Sequence, residues 1–170
     1  MVIPFPSPTV PVPSRNELFL RYLDFFRDTL VDKVTRLPEA ELRTSRLPSA
    51  WTPLELLKHV TFVELRWLDW GFAGREVAEP WGDNEGTRWH VAPDETLTDL
   101  LIALRHQAGR TREIVEAHEL TDLGVPGPRW EGADPPALER VLCHLFQEYA
   151  RHVGHLDIVA ELADAEIVGE

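Results

Sequence analysis

Apolar residues in this chain recur at the three- and four-residue spacing of amphipathic helices, and this periodicity constrains the fold more than any other feature. The clearest helix start is at Thr52, a capping residue that is followed by Pro53 and then by Glu55. Proline suits the first turn of a helix, and the Thr/Glu pair can form a reciprocal capping box. The apolar positions that follow are Leu56, Val60, Val63, Trp67 and Trp70. Gly71 or Gly74 is expected to end this helix, the second of four that the pattern predicts.

The first predicted helix follows a proline-rich arm. Residues 1–13 alternate proline with apolar residues, so they should be extended, and they are either flexible or laid across the body or a neighbouring subunit. The helix should begin at Ser14, where Glu17 completes a capping box. It should end near Arg36, because Pro38 follows closely.

The third and fourth predicted helices each follow a loop that is rich in glycine, proline and tryptophan. Asp94 or Thr96 is expected to start the third helix, which lasts to about His118. Asp134 is expected to cap the fourth helix, with Pro135 in its first turn. The apolar positions of that helix extend nearly to the end of the chain.

These elements predict an all-α protein. Four long helices with long connections, among them loops 75–93 and 121–133, are typical of a four-helix bundle. We find no convincing alternation with a period of two, so no strand is expected. The length of 170 residues fits a single domain, which we assign to residues 14–166, after the arm.

Composition argues against several classes of partner. A net charge of −12 argues against nucleic acid and anionic membrane surfaces, which both need a basic footprint. No apolar run is long enough to cross a bilayer, and the N-terminus lacks the pattern of a signal peptide. The single cysteine, Cys143, excludes an internal disulfide and fits a reducing, cytoplasmic compartment. We expect Cys143 to be a buried small apolar residue rather than a nucleophile.

One carboxylate and three imidazoles share one face of the fourth helix. At 100° per residue these four side chains fall within an arc of about 80°. They are His144, Glu148, His152 and His155. Apolar neighbours direct part of this face inward, and a buried polar cluster needs a partner such as a metal ion. The first and last residues lie about 16 Å apart along the axis, so spacing leaves three adjacent pairs open: 144 with 148, 148 with 152, or 152 with 155.

A third metal ligand must come from another helix, and His59 is the best candidate. It lies between Leu56 and Val63 on the inward stripe of the second helix, where an aliphatic residue is usual. Glu148 with His152 would combine carboxylate with imidazole, a common mixture for zinc or another divalent ion. The Glu-x-x-His pairs of di-iron bundles and the His-Glu-x-x-His pattern of zinc proteases are both absent.

Two segments carry a resemblance to a known family. They are residues 51–60 (WTPLELLKHV) and residues 148–157 (EYARHVGHLD). Together they resemble the DinB superfamily, and more narrowly its DUF664 branch, which is related to the mycothiol-dependent maleylpyruvate isomerases. The resemblance extends from about residue 15 to residue 165. It implies an up-down-down-up four-helix bundle that is often a dimer.

The resemblance also implies a function for the polar cluster. It assigns the metal site to His59, Glu148 and His152, and so selects the middle of the three pairs. In this family the metal, usually zinc or nickel, binds and activates a low-molecular-weight thiol for transfer or isomerisation. His144 and His155 are then expected to support the ligands or to handle protons. The maleylpyruvate isomerases have a further C-terminal domain that helps hold the thiol, which these 170 residues do not include, so we do not expect their substrate here.

Three functional hypotheses follow from this resemblance and the pattern of residues. The first is a metal-dependent thiol S-transferase that acts on a small electrophile, as a cytoplasmic homodimer. The second is a non-catalytic metal-binding or stress-associated dimer, in which the ion ties the second helix to the fourth. The third is a hydrolase that uses metal-activated water.

Overall fold

α-Helices form most of the structure, a computed structural model that describes residues 4–167, with side chains as far as Ala163. In that part of the chain the helices are α1 (Arg15–Arg36), α2 (Glu39–Leu42), α3 (Pro53–Glu64), α4 (Leu97–Ala117) and α5 (Leu138–Ile167). α3 continues directly into a π-helix, Leu65–Phe72, which we call the π segment. The all-α class is therefore confirmed. None of the described helices is both long and apolar enough to cross a membrane.

The helix starts show where local sequence determines structure. Thr52 and Thr96 cap α3 and α4, and each forms a complete capping box with an acidic residue three positions on. Ser14 caps α1 as expected, accepting a hydrogen bond from the backbone N–H of Glu17. The predicted capping box of α1 is wrong, however, because the Glu17 carboxylate accepts from Arg21 Nε at 2.8 Å instead.

The predicted start of the last helix is also wrong. α5 begins at Leu138, whereas the sequence placed its cap at Asp134. Two consecutive prolines, residues 135–136, hold the backbone extended, since each disfavours helical geometry in the residue before it. Ala137 consequently pairs with Leu123 in an isolated antiparallel bridge, and the helix starts only after that bridge.

Loop 75–93 contains a small β-hairpin that the sequence did not predict. Its strands are β1 (Asn84–Glu85) and β2 (Arg88–Trp89), paired antiparallel. Gly86 turns the chain with a φ of +62°, which glycine adopts at little cost. Two residues per strand cannot show an alternating pattern, so periodicity gave no signal. The hairpin places Trp89 over the candidate site.

The long helices pack pairwise around one core. α1 packs against α5 and α4, and α3 packs against α4 and α5. Fully buried leucines from all four of these helices fill the interior, among them Leu23, Leu56, Leu104 and Leu145. This packing brings the inward face of α3, with His59, opposite the polar face of α5.

One buried polar network joins the four long helices at the centre of this core. Glu64 of α3 accepts two hydrogen bonds from Arg27 of α1, each 2.8 Å long. Thr111 of α4 donates to the same carboxylate at 2.5 Å, and so does the hydroxyl of Tyr149 of α5. Burial, together with the charge of Glu64, raises the pKa of Tyr149 well above its usual value, so the hydroxyl remains a donor.

The described part of the N-terminal arm lies on α1 of the same chain. Phe5 packs edge-on against Tyr22 and Phe25, with ring centroids 5.4 Å and 5.0 Å apart. The Tyr22 hydroxyl donates to the carbonyl oxygen of Pro6 at 3.3 Å. Of the placements considered from sequence, contact with the chain's own body is the one seen here. Residues 1–3 of the predicted arm lie outside the described residues.

Candidate metal centre

α3 and α5 bring His59, Glu148 and His152 into one cluster. One ligand atom from each of the three side chains lies within 4.8 Å of the other two. Glu148 and His152 are one helical turn apart on α5, and Glu148 Oε2 is 3.1 Å from His152 Nε2. The His59 and His152 rings meet edge to face, with centroids 5.2 Å apart. Of the three α5 pairs that spacing left open, this middle pair faces His59.

Asp83, a residue that sequence reasoning missed, fixes the orientation of His59. Its fully buried carboxylate lies 3.0 Å from His59 Nδ1, and Arg66 holds it with hydrogen bonds of 2.5 Å and 3.1 Å. Burial raises the pKa of Asp83, but the hydrogen bonds from His59 and Arg66 outweigh it and lower the pKa overall. The ionised carboxylate takes the Nδ1–H, which leaves Nε2 of His59 as the lone-pair donor. A carboxylate behind a histidine is the usual support of a metal ligand.

A sequence signal for part of this support did exist. Arg66 follows His59 by seven residues, so both lie on one face of a helix that continues from α3 into the π segment. An arginine on an inward helical face needs a buried counter-ion. Its partner Asp83 lies in loop 75–93, whose path no periodicity describes.

Trp89 covers one side of the cluster, and Trp51 lies next to Trp89. Trp89 of β2 stacks on the His59 ring, with centroids 4.0 Å apart and planes 19° apart, and its ring also contacts His152. The Trp51 ring lies next to the ring of His155, with centroids 6.2 Å apart. Both tryptophans line a cavity of about 290 Å³ that also contains Glu55. A small molecule in this cavity would lie beside the cluster.

The protonation state of His152 suits metal binding. Burial lowers its pKa to about 4, helped by the nearby His59 and His155 and opposed by Glu148. The ring is therefore neutral at pH 7, which is the form that binds a metal. Its Nδ1 is buried without a hydrogen-bond partner among the described residues.

Two imidazoles and one carboxylate, clustered and oriented in this way, fit a divalent ion such as zinc. Three protein ligands also leave a coordination position open, as catalytic zinc sites require. The donor set and its buried support are thus both compatible with metal binding.

The two outer histidines of the α5 face lie at opposite ends of the cluster. His144 Nε2 is 3.7 Å from Glu148 Oε1, and burial is the main cause that lowers the pKa of His144. The His155 ring lies next to the His152 ring, with centroids 5.4 Å apart. The Nδ1 of His155 is buried without a hydrogen-bond partner in the part of the chain described. Both residues contact a candidate ligand. Cys143, expected to be buried, is exposed, because it points away from the α5 face that meets α3.

Comparison with known proteins gives one family and one similar structure. A family model described as Mycothiol-S-transferase matches residues 18–165. No curated protein matches the chain. Among solved structures, the crystal structure of the conserved protein of locus from Enterococcus faecalis superposes with a TM-score of 0.66 at 15% identity, covering 91% of this chain and 99% of that one. At that identity the likeness concerns the fold alone.

Proposed function

Because the chain belongs to the mycothiol-S-transferase family, a DinB-like family, we propose that it is a metal-dependent transferase that joins a low-molecular-weight thiol to a small electrophile. The observation that carries this proposal is the cluster of His59, Glu148 and His152, with Asp83 behind His59. The family description points to mycothiol as the thiol. A divalent ion bound at the cluster would lower the pKa of the thiol and so supply a thiolate at neutral pH.

The chain's own residues prepare the site for this chemistry. Asp83 and Arg66 hold the His59 ring in one orientation, so that little reorganisation is needed when substrate arrives. Trp89 lies flat on His59 and limits the access of water to that side of the cluster. The ring of His155 contacts Trp51, which lines the cavity, and its Nδ1 is buried without a hydrogen-bond partner among the described residues.

Several finer features belong to the same proposal. Zinc or nickel is the ion that suits the donor set and the family resemblance. We place the protein in the cytoplasm, where a reduced thiol is available. The four long helices would form an up-down-down-up bundle. Exposed Phe146, Ile158 and Leu162 on α5 support a homodimer that buries them.

A purely structural metal is the competing function. Its support is that the candidate ligands come from two helices, α3 and α5, which an ion would tie together. In that case removal of the metal would lower the melting temperature, and no thiol would be consumed with any electrophile.

A conjugation assay tests the proposed function. Zinc-loaded protein is mixed with mycothiol and 1-chloro-2,4-dinitrobenzene, and the thioether product is followed by absorbance. We expect turnover that a chelator abolishes and added zinc restores. His152→Ala should lower kcat/KM by more than about a hundredfold, since even loss of a supporting partner costs ten- to a hundredfold. Turnover that is equal in His152→Ala and in wild type would contradict the proposal.

A further inference from the structure

Arg129 is a half-buried cation that forms no ion pair with any of the described residues. Its guanidinium carbon lies 4.2 Å from the Trp67 ring centre and 5.6 Å from that of Trp130. Its Nε is buried and has no hydrogen-bond partner among the described residues. In the same part of the chain no carboxylate lies within 4.0 Å of its side chain. Among the described residues, the direct contacts of the guanidinium are therefore with aromatic rings.

Two other buried arginines, in contrast, each bind a buried carboxylate. Arg27 forms two hydrogen bonds to Glu64, and Arg66 forms two to Asp83. Burial lowers the pKa of Arg129, the positive charge of Arg66 lowers it further, and the negative charge of Glu131 only partly opposes them. A partly buried cation that forms no ion pair is stabilised when an anion binds to it.

Arg129 lies next to the candidate metal centre. The Trp67 ring contacts both the Arg129 guanidinium and the ring of His144, whose centroid is 4.3 Å away. His144 in turn is 3.7 Å from Glu148. His144 and His155 lie on α5 at the two ends of the cluster. Arg129 is near the end at His144, and the tryptophan-lined cavity is near the end at His155. The two ends of the site differ in charge and shape.

The backbone around Arg129 is held in place. Pro128–Trp130 form a single 3₁₀ turn, and Trp130 Nε1 donates to the carbonyl oxygen of Val125 at 2.9 Å. The Trp130 ring packs on Gly71 of the π segment, where an added Cβ would lie 2.9 Å from it. Arg129 is thus presented from a fixed turn rather than from a mobile loop.

We propose that Arg129, together with Trp67 and His144, recognises a carboxylate on the electrophilic substrate. This inference rests on the proposed function and adds the substrate class: an electrophile that carries a carboxylate. The guanidinium and the His144 ring bind the carboxylate, and the Trp67 ring, which contacts both of them, holds them in position. The thiol occupies the cavity at the other end, so the two substrates meet at Glu148 and His152.

Ligand binding without chemistry provides the first test. Benzoate and uncharged benzamide are titrated into zinc-loaded wild type, Arg129→Gln and Arg129→Lys, with tryptophan fluorescence as the signal, since Trp67 and Trp130 contact the guanidinium. Arg129→Gln should weaken benzoate binding about tenfold and leave benzamide binding unchanged. Arg129→Lys should keep part of the preference for benzoate over benzamide, because it keeps the positive charge. Arg105→Gln, on the exposed face of α4, removes the same charge and should change nothing.

The outcomes that overturn the subsite are specific. Equal benzoate binding in wild type and Arg129→Gln would overturn it, and so would an equal loss in Arg105→Gln. Melting temperatures show whether each variant is folded. If Arg129→Gln does not fold, Arg129→Lys, which keeps the positive charge, is compared with wild type instead.

A turnover measurement separates this inference from the proposed function. The electrophiles are 4-chloro-3-nitrobenzoate and its amide, with mycothiol as the thiol. The thiolate forms a C–S bond at carbon 4, chloride leaves with the electrons of the C–Cl bond, and the thiol proton passes to solvent. We expect wild type to prefer the carboxylate by about tenfold in kcat/KM and Arg129→Gln to lose that preference. No turnover with either electrophile would refute the transferase proposal, and the benzoate titration would still decide the subsite.

Discussion

Asp83 determines which nitrogen of His59 faces the other candidate ligands. The Nδ1–H is donated to the buried carboxylate, so Nε2 is the atom left for an ion. Arg66 binds both carboxylate oxygens and prevents the carboxylate from turning away. Helical spacing predicted three possible ligand pairs on α5, and the family resemblance selected Glu148 and His152, with His59, from among them. Asp83 was not predicted, since it lies in a loop whose path depends on tertiary contacts.

Asp83→Asn should weaken zinc binding about ten- to a hundredfold. The amide can no longer act as a full anionic acceptor for the His59 N–H, and loss of such a supporting partner typically has this effect. Competition with a chromophoric chelator measures the zinc Kd directly. Asp94→Asn, at an exposed position outside the site, is the matched control and should bind zinc like wild type. Unchanged affinity in Asp83→Asn would show that Asp83 does not support the site.

The π segment and the turn that packs on it form one structural unit beside the site. The Trp130 ring fills the space above Gly71, which has no Cβ to obstruct it. Trp67 and Arg66, both in the π segment, contact Arg129 and Asp83 respectively. π-Helical turns are frequent at functional sites. Here the turn places Trp67 against His144 and Arg66 against Asp83, which supports His59.

Gly71→Ala should destabilise the protein by about 1–3 kcal/mol, because the added methyl would lie 2.9 Å from both the Trp130 ring and the Arg66 carbonyl oxygen. Gly109→Ala in α4 is the control, since no atom lies within 4 Å of an added Cβ there. That change should stabilise the protein by about 0.5–1 kcal/mol through helix propensity. Urea unfolding measures both changes. Equal effects of the two substitutions would mean that Trp130 does not pack on Gly71.

Elements whose ends are determined locally were predicted well from sequence. Thr52 and Thr96 each act with residues three positions away, so their helix starts needed no tertiary information. The start of α5 was predicted three residues too early, because Ala137 pairs with Leu123 across a loop. The π segment and the short hairpin were missed for the same reason. Their geometry follows from packing rather than from periodicity.

At the scale of the whole molecule, the buried network of Arg27, Glu64, Thr111 and Tyr149 links the four long helices. Any slip of one helix along its neighbours would separate a donor from Glu64, and an unpaired buried charge is costly. The network therefore favours a single register of α3 against α5. That register is what places His59 opposite Glu148.

Tyr149→Phe tests this role of the network. Removing the hydroxyl takes one donor from the buried Glu64 carboxylate and should cost about 1.5–3 kcal/mol of unfolding free energy. Tyr22→Phe removes a hydroxyl that donates to Pro6 near the surface, and it should cost less than about 0.5 kcal/mol. Denaturant titrations of the two variants give the comparison. A cost for Tyr149→Phe no greater than that for Tyr22→Phe would contradict a stabilising network.

We propose that His59, Glu148 and His152 hold one divalent ion. Equilibrium dialysis against zinc, followed by elemental analysis, measures the metal content of wild type, His59→Ala, His152→Ala and the exposed control His106→Ala. We expect stoichiometric zinc in wild type and in His106→Ala, and loss of that zinc in the other two variants. Stoichiometric zinc in both His59→Ala and His152→Ala would contradict the claim.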